Sequence, residues 1–529
     1  MLVKFAGSVL NSCQKSKLLW RVSVVKASSQ RTSFLPKFTV QLPHQHNSVC
    51  WSHFQMSTTS NSLNNLEDQC KSLIKQCIDD ALSEDKNTHH NSLVSTKVIQ
   101  EFCSTYSQLD NDKKCKILLY LSDDYGLHQA NVLQTCELFI KTTQAKRKDA
   151  TLLQVEDRLR LQLHPMYAHL FTLIGRLENG VKFLTEMRLD AISFARMECN
   201  RSNSHILRSF SNQLKTTLSF WFSVGLLQLT RVSWQTPADI LEKLAKNEAV
   251  HQVRSWLDLK HRLGVDRRCY MFIHSSMPRE PLVYLHVALM DHIATNITDI
   301  VDYQSRSDGN KSLQTKKNNT AIFYSITSTQ KGLQGIDFGV HMIRGVVQEL
   351  CKDLPNLQQF SSLSPIPQFN TWLTGQLSTA VKNKSNIFLP TEIEHITETL
   401  KVPEHEISKY LLTILEGRNW TKDKKVTEAL QAPIMRLSAV YLYTIKRRNY
   451  AFDPVANFHL RNGATLWRLN WLADPSANGF QQSLGIMANY RYYLDEIDIH
   501  SRAYIIHKEI SISQNVLDLI SVHDTPSKL

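Results

Sequence analysis

The chain of 529 residues has no aspartate or glutamate before Glu67. Over that stretch it carries Lys4, Lys15, Lys17, Arg21, Lys26, Arg31 and Lys37, with serines among Leu, Val, Phe and Trp20. An acid-free, basic, serine-bearing leader has the composition of a mitochondrial transit peptide, and Lys15 and Lys17 break the apolar core a secretory signal needs. Residues 1–55 are therefore expected to be an address, and Met56 an alternative start that omits it. The leader supplies seven of the formal +13 charges, leaving a mildly basic body. No basic strip interleaved with aromatics remains, which argues against nucleic acid.

Other absences narrow the reading. No run approaches the roughly 18 to 20 apolar residues of a spanning helix, so no membrane span is expected. The ten cysteines are scattered, with no CxxC pair and no zinc spacing. Cys70 and Cys77 fall at apolar helical positions, where small buried thiols belong. His405-Glu406-Ile407-Ser408-Lys409 lacks the second histidine of a zinc-protease helix, and no metal is expected.

What is present divides in two. Asn64 and Glu67 have the spacing of an N-cap box. Leu66, Cys70, Leu73, Ile74, Cys77, Ile78 and Ala81 then keep helical period, as do Ile206, Phe210, Leu214, Leu218 and Trp221 before a stop at Gly225. Residues 64–224 thus read as an α-helical scaffold or oligomerisation domain. Strands are predicted at Cys269–Ile273 and Leu282–Ala288, a surface loop at 308–319, and a helical insertion at about 390–447. Mixed strands and helices over 225–529 indicate an α+β or α/β catalytic domain.

The chemistry concentrates in two stretches. Ala321–Ile326 reads as a buried strand, followed by Gly332-Leu-Gln-Gly-Ile-Asp-Phe-Gly339 and a helix striped by Phe338, Met342, Ile343, Val346, Val347 and Leu350. A helix start preceded by glycines presents free N–H groups and the positive dipole end, which suits a phosphate. Phe360–Pro367 is then a hydroxyl-rich strand end stopped by prolines. Near the carboxyl end, His459 stands in a polar–apolar alternation with Asn457, ahead of Gly463 and a tryptophan-rich strand. A proton donor working near neutral pH favours this residue type. Ser527-Lys528-Leu529 matches a peroxisomal address read by an import receptor.

These stretches resemble the malonyl-CoA decarboxylase family. The resemblance rests on Ser361-Ser-Leu-Ser-Pro-Ile-Pro367, Pro454-Val-Ala-Asn-Phe-His459, Leu466-Trp-Arg-Leu-Asn-Trp471 and Met487-Ala-Asn-Tyr-Arg-Tyr492. It also takes in Asp157-Arg-Leu-Arg160 and the terminal tripeptide. It implies an α-helical amino-terminal domain followed by an acetyltransferase-like (GNAT-type) α/β catalytic domain, a homotetramer, and cofactor-free conversion of malonyl-CoA to acetyl-CoA and carbon dioxide. It further implies that Gln334, Gly335, Ile336, Asp337, Phe338, Gly339 and Val340 bind malonyl-CoA, and that Ser364 and His459 are the catalytic pair. Two positions depart from the family pattern: Asp337 replaces a glutamate, and Arg279 replaces a common glycine.

Loss of carbon dioxide from malonyl-CoA leaves charge that the thioester holds as an enolate, provided donors face the developing oxyanion. Ser364 is expected to fix the malonyl carboxylate and His459 to protonate the α-carbon, with Asn457 or Tyr490 polarising the carbonyl. Which of Ser364 and His459 handles each proton stays open at this stage. So do two rival functions, a CoA-dependent acyltransferase and a non-catalytic acyl-CoA-binding scaffold. Expected residence is the mitochondrial matrix and the peroxisome, with a cytoplasmic form from Met56.

Overall fold

The computed structural model describes residues 59–83, 96–145, 150–301, 318–336, 338–417 and 419–521. The expected leader, the terminal tripeptide, Asp337 and residues 308–317 lie outside the described residues, as does the side chain of Val340.

The first half is helical: α1 (Thr59–Ser83), α2 (Thr96–Gln108), α3 (Asn111–Asp124), α4 (Gln129–Gln144), α5 (Ala150–Gln162), α6 (Tyr167–Gly175), α7 (Gly180–Phe194) and α8 (Ser204–Trp221). The predicted stripes run through its core, with Cys70, Ile74, Cys77, Phe210, Leu214 and Leu218 fully buried; Ile206 and Trp221 are half-buried, and the unpredicted Leu207 is fully buried beside Ile206. The expected cap at Asn64 is corrected, because α1 begins at Thr59 and carries Asn64 inside it. A polar first turn has no apolar stripe by which sequence could register it.

Among the described residues the second half is built on an eight-stranded sheet. Its members are β1 (Leu227–Val232), β2 (Arg267–His274), β3 (Val283–Met290), β4 (Thr320–Ser328), β5 (Gln359–Ser362), β6 (Ser364–Pro365), β7 (Thr465–Asn470) and β8 (Met487–Tyr492). Strands β1 to β4 form an antiparallel meander, and β4 joins β5 in the sheet's parallel pair. Helices α9 (Ala238–Asn247) and α10 (Trp256–Arg262) follow β1, and α11 (Gly339–Asp353) crosses from β4 to β5. After β6 comes α12 (Phe369–Asn383), ahead of the stretch predicted as a helical insertion, which holds α13 (Pro390–Leu400), α14 (Ile407–Leu415) and α15 (Lys424–Thr444); α16 (Pro454–Arg461) then precedes β7.

Alternation along β3 assigns the faces. Leu285, Val287 and Leu289 join the cluster that contains α11 and α8, whereas Ala288 and Met290 join a second cluster on the other side. A register shift opposite His286/Val287 reverses this pattern in β4, so Phe323 faces α11 while Ser325 turns to Glu248 on the far face.

Candidate active site

Two strands part to make the site. The parallel register of β4 and β5 runs from Thr320↔Gln359 to Phe323↔Ser362, after which β4 continues to Ser328 paired with β3 alone. The β5 path breaks at Leu363 and resumes as β6, both pieces lying on one edge of β8. Proline at 365 offers no N–H to extend a ladder, so the strand is short and Ser364 sits at its end.

The opposing side chain comes from a helix. Asp453 accepts from the N–H groups of Val455 and Ala456, both at 2.9 Å, and Pro454 takes the first helical position of α16. Aspartate then proline is a strong start signal, so the alternation around His459 is helical and not extended. Burial pushes the Asp453 carboxyl up to about 6, with the two backbone donors opposing it.

Ser364 Oγ lies 2.8 Å from His459 Nε2, and Tyr492 Oη lies 2.7 Å from His459 Nδ1. Tyr490 stacks on the imidazole, with ring centroids 4.5 Å apart and planes 15° from parallel. Ser364 Oγ also donates to Ser362 Oγ at 2.8 Å. His459 is only 3% exposed, and burial pushes its pKa down to about 3, so the ring is neutral near pH 7. Burial raises Tyr490 and Tyr492 well above the usual phenol range, which keeps both hydroxyls protonated. Both ring nitrogens therefore face hydroxyls, which can donate or accept. The imidazole can gain or lose a proton without moving.

The remaining predicted residues separate. Tyr490 Oη is buried and has no hydrogen-bond partner among the described residues, leaving a donor against the imidazole. Asn457 Oδ1 instead accepts from Tyr504 Oη at 2.8 Å. Two residues along a helix turn through about 200°, so Asn457 points away from the face that carries His459. The structure brings Ser364, His459 and Tyr490 together and leaves Asn457 apart.

The glycine loop meets the same helix from the other side. Gly335 has φ +83°, a left-handed conformation that glycine adopts without strain. A Cβ at Gly339, the first residue of α11, would stand 2.1 Å from the Phe458 ring, so only glycine permits this approach. Phe458 in turn lies edge-on to His459, with centroids 5.1 Å apart. Phe338 is buried, while Gln334 and Gly335 are exposed. A cavity of about 360 Å³ includes Gln334, Gly335, Ile336 and Phe338. A larger one, about 1320 Å³, lies around Glu248, His251 and Asp474 and contains none of the predicted residues.

Three participants escaped the sequence reading. Tyr492 and Ser362 had a usable signal, since each is two residues from a predicted partner on a strand and so shares its face. Arg188 had none. It reaches from α7 to donate to the carbonyls of Gly332, of Gln334 at 2.8 Å and of Ser211 at 3.1 Å. Arg279 has a left-handed φ of 61°, a conformation glycine adopts without strain, and its guanidinium pairs with Asp239.

A helical half joined to a mixed sheet carries a buried serine–imidazole pair whose histidine lies on α16, the helix against which the start of α11 also packs, an arrangement fit for an enzyme. The profile of the malonyl-CoA decarboxylase C-terminal domain matches residues 225–528, and that of the malonyl-CoA decarboxylase N-terminal domain matches 125–222. The mitochondrial malonyl-CoA decarboxylase of Anser anser anser is 43% identical over 433 residues, covering 81% of this chain and 84% of that protein. The Rattus norvegicus enzyme of the same name is 42% identical over 435 residues, covering 81% and 86%. The crystal structure of malonyl-CoA decarboxylase from Rhodopseudomonas palustris superposes with a TM-score of 0.71 at 29% identity, covering 85% of this chain and 99% of that one. That from Agrobacterium vitis gives 0.70 at 30% identity, covering 86% and 99%. The chain belongs to the malonyl-CoA decarboxylase family.

Proposed function

We propose that this member of the family converts malonyl-CoA to acetyl-CoA and carbon dioxide through Ser364 and His459. The observation that carries the reading is the 2.8 Å contact between Ser364 Oγ and His459 Nε2 in a buried, uncharged setting. Ser364 holds the malonyl carboxylate. The bond from that carboxylate to the α-carbon breaks, and its electron pair passes into the thioester as an enolate. Tyr490 Oη donates to the enolate oxygen. His459 Nε2 gives a proton to the α-carbon and recovers one from water, so each turnover consumes one proton and releases carbon dioxide.

The electrostatics favour this order. No carboxylate among the described residues touches His459, so the empty site has nothing to hold an imidazolium. The incoming malonyl carboxylate supplies that charge at short range in a dry site, where Coulomb attraction is strong. Its departure as carbon dioxide removes the charge as the proton is spent.

Loop residues Gln334–Val340, Asp337 included, are assigned to the CoA portion, with the α11 start facing phosphate. Residence in the mitochondrion is supported by the names of the relatives. A peroxisomal pool imported through Ser527-Lys528-Leu529 and a cytoplasmic form from Met56 belong to the same proposal. So do the acetyltransferase-like assignment of the sheet domain and a homotetramer. Leu133 and Ile140 on α4 and Leu153 and Leu161 on α5 are exposed, an apolar face suited to a second copy of the chain. Among the described residues no helix is long and apolar enough to cross a membrane.

The test is to supply malonyl-CoA to the purified chain without added cofactor. Acetyl-CoA and carbon dioxide should appear in equal amounts. CoA binding without turnover, or transfer of the acyl group to an added amine, would replace this reading with the scaffold or the acyltransferase.

A further inference from the structure

The wall of the 360 Å³ cavity is shared between the two halves of the chain. Ile192, Ser193 and Arg196 come from the end of α7 and the turn after it, while Lys331, Gln334 and Gly335 come from the glycine loop. Arg196 donates to Gln334 Oε1 at 3.3 Å. Lys215, on α8, stands over the loop, its Nζ 3.2 Å from where a Cβ on Gly335 would lie. Arg188 locks the same loop to α7 and α8 through three carbonyl oxygens.

The cations differ in what they are free to do. Arg188 is buried and its donors are spent on backbone carbonyls of the loop and of α8. Arg196 is exposed and Lys215 half-buried, and neither forms an ion pair with a carboxylate among the described residues. Together with Lys331 they place three positive charges around a glycine loop, with none of the opposite sign described beside them. Like charges gathered at one cavity repel, and the arrangement is complementary to a polyanion.

We infer that the amino-terminal helical half completes the substrate site, Arg196 and Lys215 taking the phosphate groups at the nucleotide end of CoA. This rests on the loop being the CoA site. It gives the helical half a role in recognition beyond that of a scaffold. Contacts to a non-reacting part of the substrate contribute equally before and at the transition state, so they govern KM and leave kcat alone.

The experiment compares CoA with pantetheine, which lacks the phosphates, by titration calorimetry on the full chain. The variants are Arg196→Ala, Lys215→Ala and the pair. Each single change should weaken CoA binding roughly tenfold, the loss of about one charge-assisted hydrogen bond, with pantetheine affinity unchanged. In turnover, KM for malonyl-CoA should rise by a similar factor at constant kcat, and Lys215→Arg should retain most of the affinity. Equal weakening of CoA and pantetheine would overturn the inference in favour of a structural role, and unchanged CoA affinity in the pair would overturn it outright. Because binding is read separately, failure of turnover in the unaltered chain would count against the decarboxylase reading alone.

Discussion

The two ends of the site differ in kind. At the loop end the side chains are cationic and exposed or half-buried, and they lie across a joint between two halves of the chain. At the Ser364–His459 end they are neutral, buried and hydrogen-bonded to one another within the sheet half. On the proposed reading, charge is placed where the substrate is recognised and withheld where bonds change. A fixed countercharge at His459 would hold the imidazolium permanently, whereas hydroxyl partners leave its protonation to the substrate. The ends still touch, through Gly339 packed on Phe458.

Breaking one end should leave the other intact. Ser364→Ala removes the partner of Nε2 without touching the loop, and kcat should fall roughly 10²- to 10⁴-fold while CoA affinity stays near that of the unaltered chain. Steady-state kinetics beside calorimetry reads both. If binding and turnover fell together, the two ends would not be separable.

Arg188→Ala attacks the joint. It leaves the carbonyls of Gly332, Gln334 and Ser211 without their buried donor. A loss of about 3 kcal/mol is expected, seen as a lower thermal midpoint together with a raised KM. An unchanged midpoint would mean that the loop does not depend on the helical half.

Tyr492→Phe sharpens the chemical end. Its ring remains to fill the space beside Phe323, with which Tyr492 packs at 5.8 Å. The lost hydroxyl leaves Nδ1 unpaired, and kcat should drop about tenfold, the value of one buried hydrogen bond. The pH profile should change with it, which a purely structural tyrosine would not cause. The smallest effect is expected at Arg279→Gly. Glycine suits the left-handed backbone and only an exposed ion pair with Asp239 is given up, so turnover and thermal midpoint should both stay at the starting value.

Much of this architecture was legible in sequence, for local reasons. The stripe of Met342, Ile343, Val346 and Leu350 announces α11 by period, and the short β-branched and aromatic run at Ala321–Ile326 announces β4 by length and composition. Asp453-Pro454 announces α16 as well, although the polar–apolar alternation around His459 carries the opposite, extended signal. The break between β5 and β6, the register shift opposite His286 and the reach of Arg188 across 144 residues carry no local signal. They are decided by which strands and helices meet. Ser364 and His459 stand 95 positions apart, and only the resemblance to a family paired them before the fold did.

The most direct measurement is turnover of malonyl-CoA by His459→Ala with and without imidazole in solution. Truncation empties a buried slot between Ser364 and Tyr492, which a free imidazole can enter and act in as the acid. Turnover should be lost by at least about 100-fold and restored in part as imidazole is added, with CoA affinity unchanged throughout. A His459→Ala chain that releases carbon dioxide at the original rate would contradict the assignment of the proton donor.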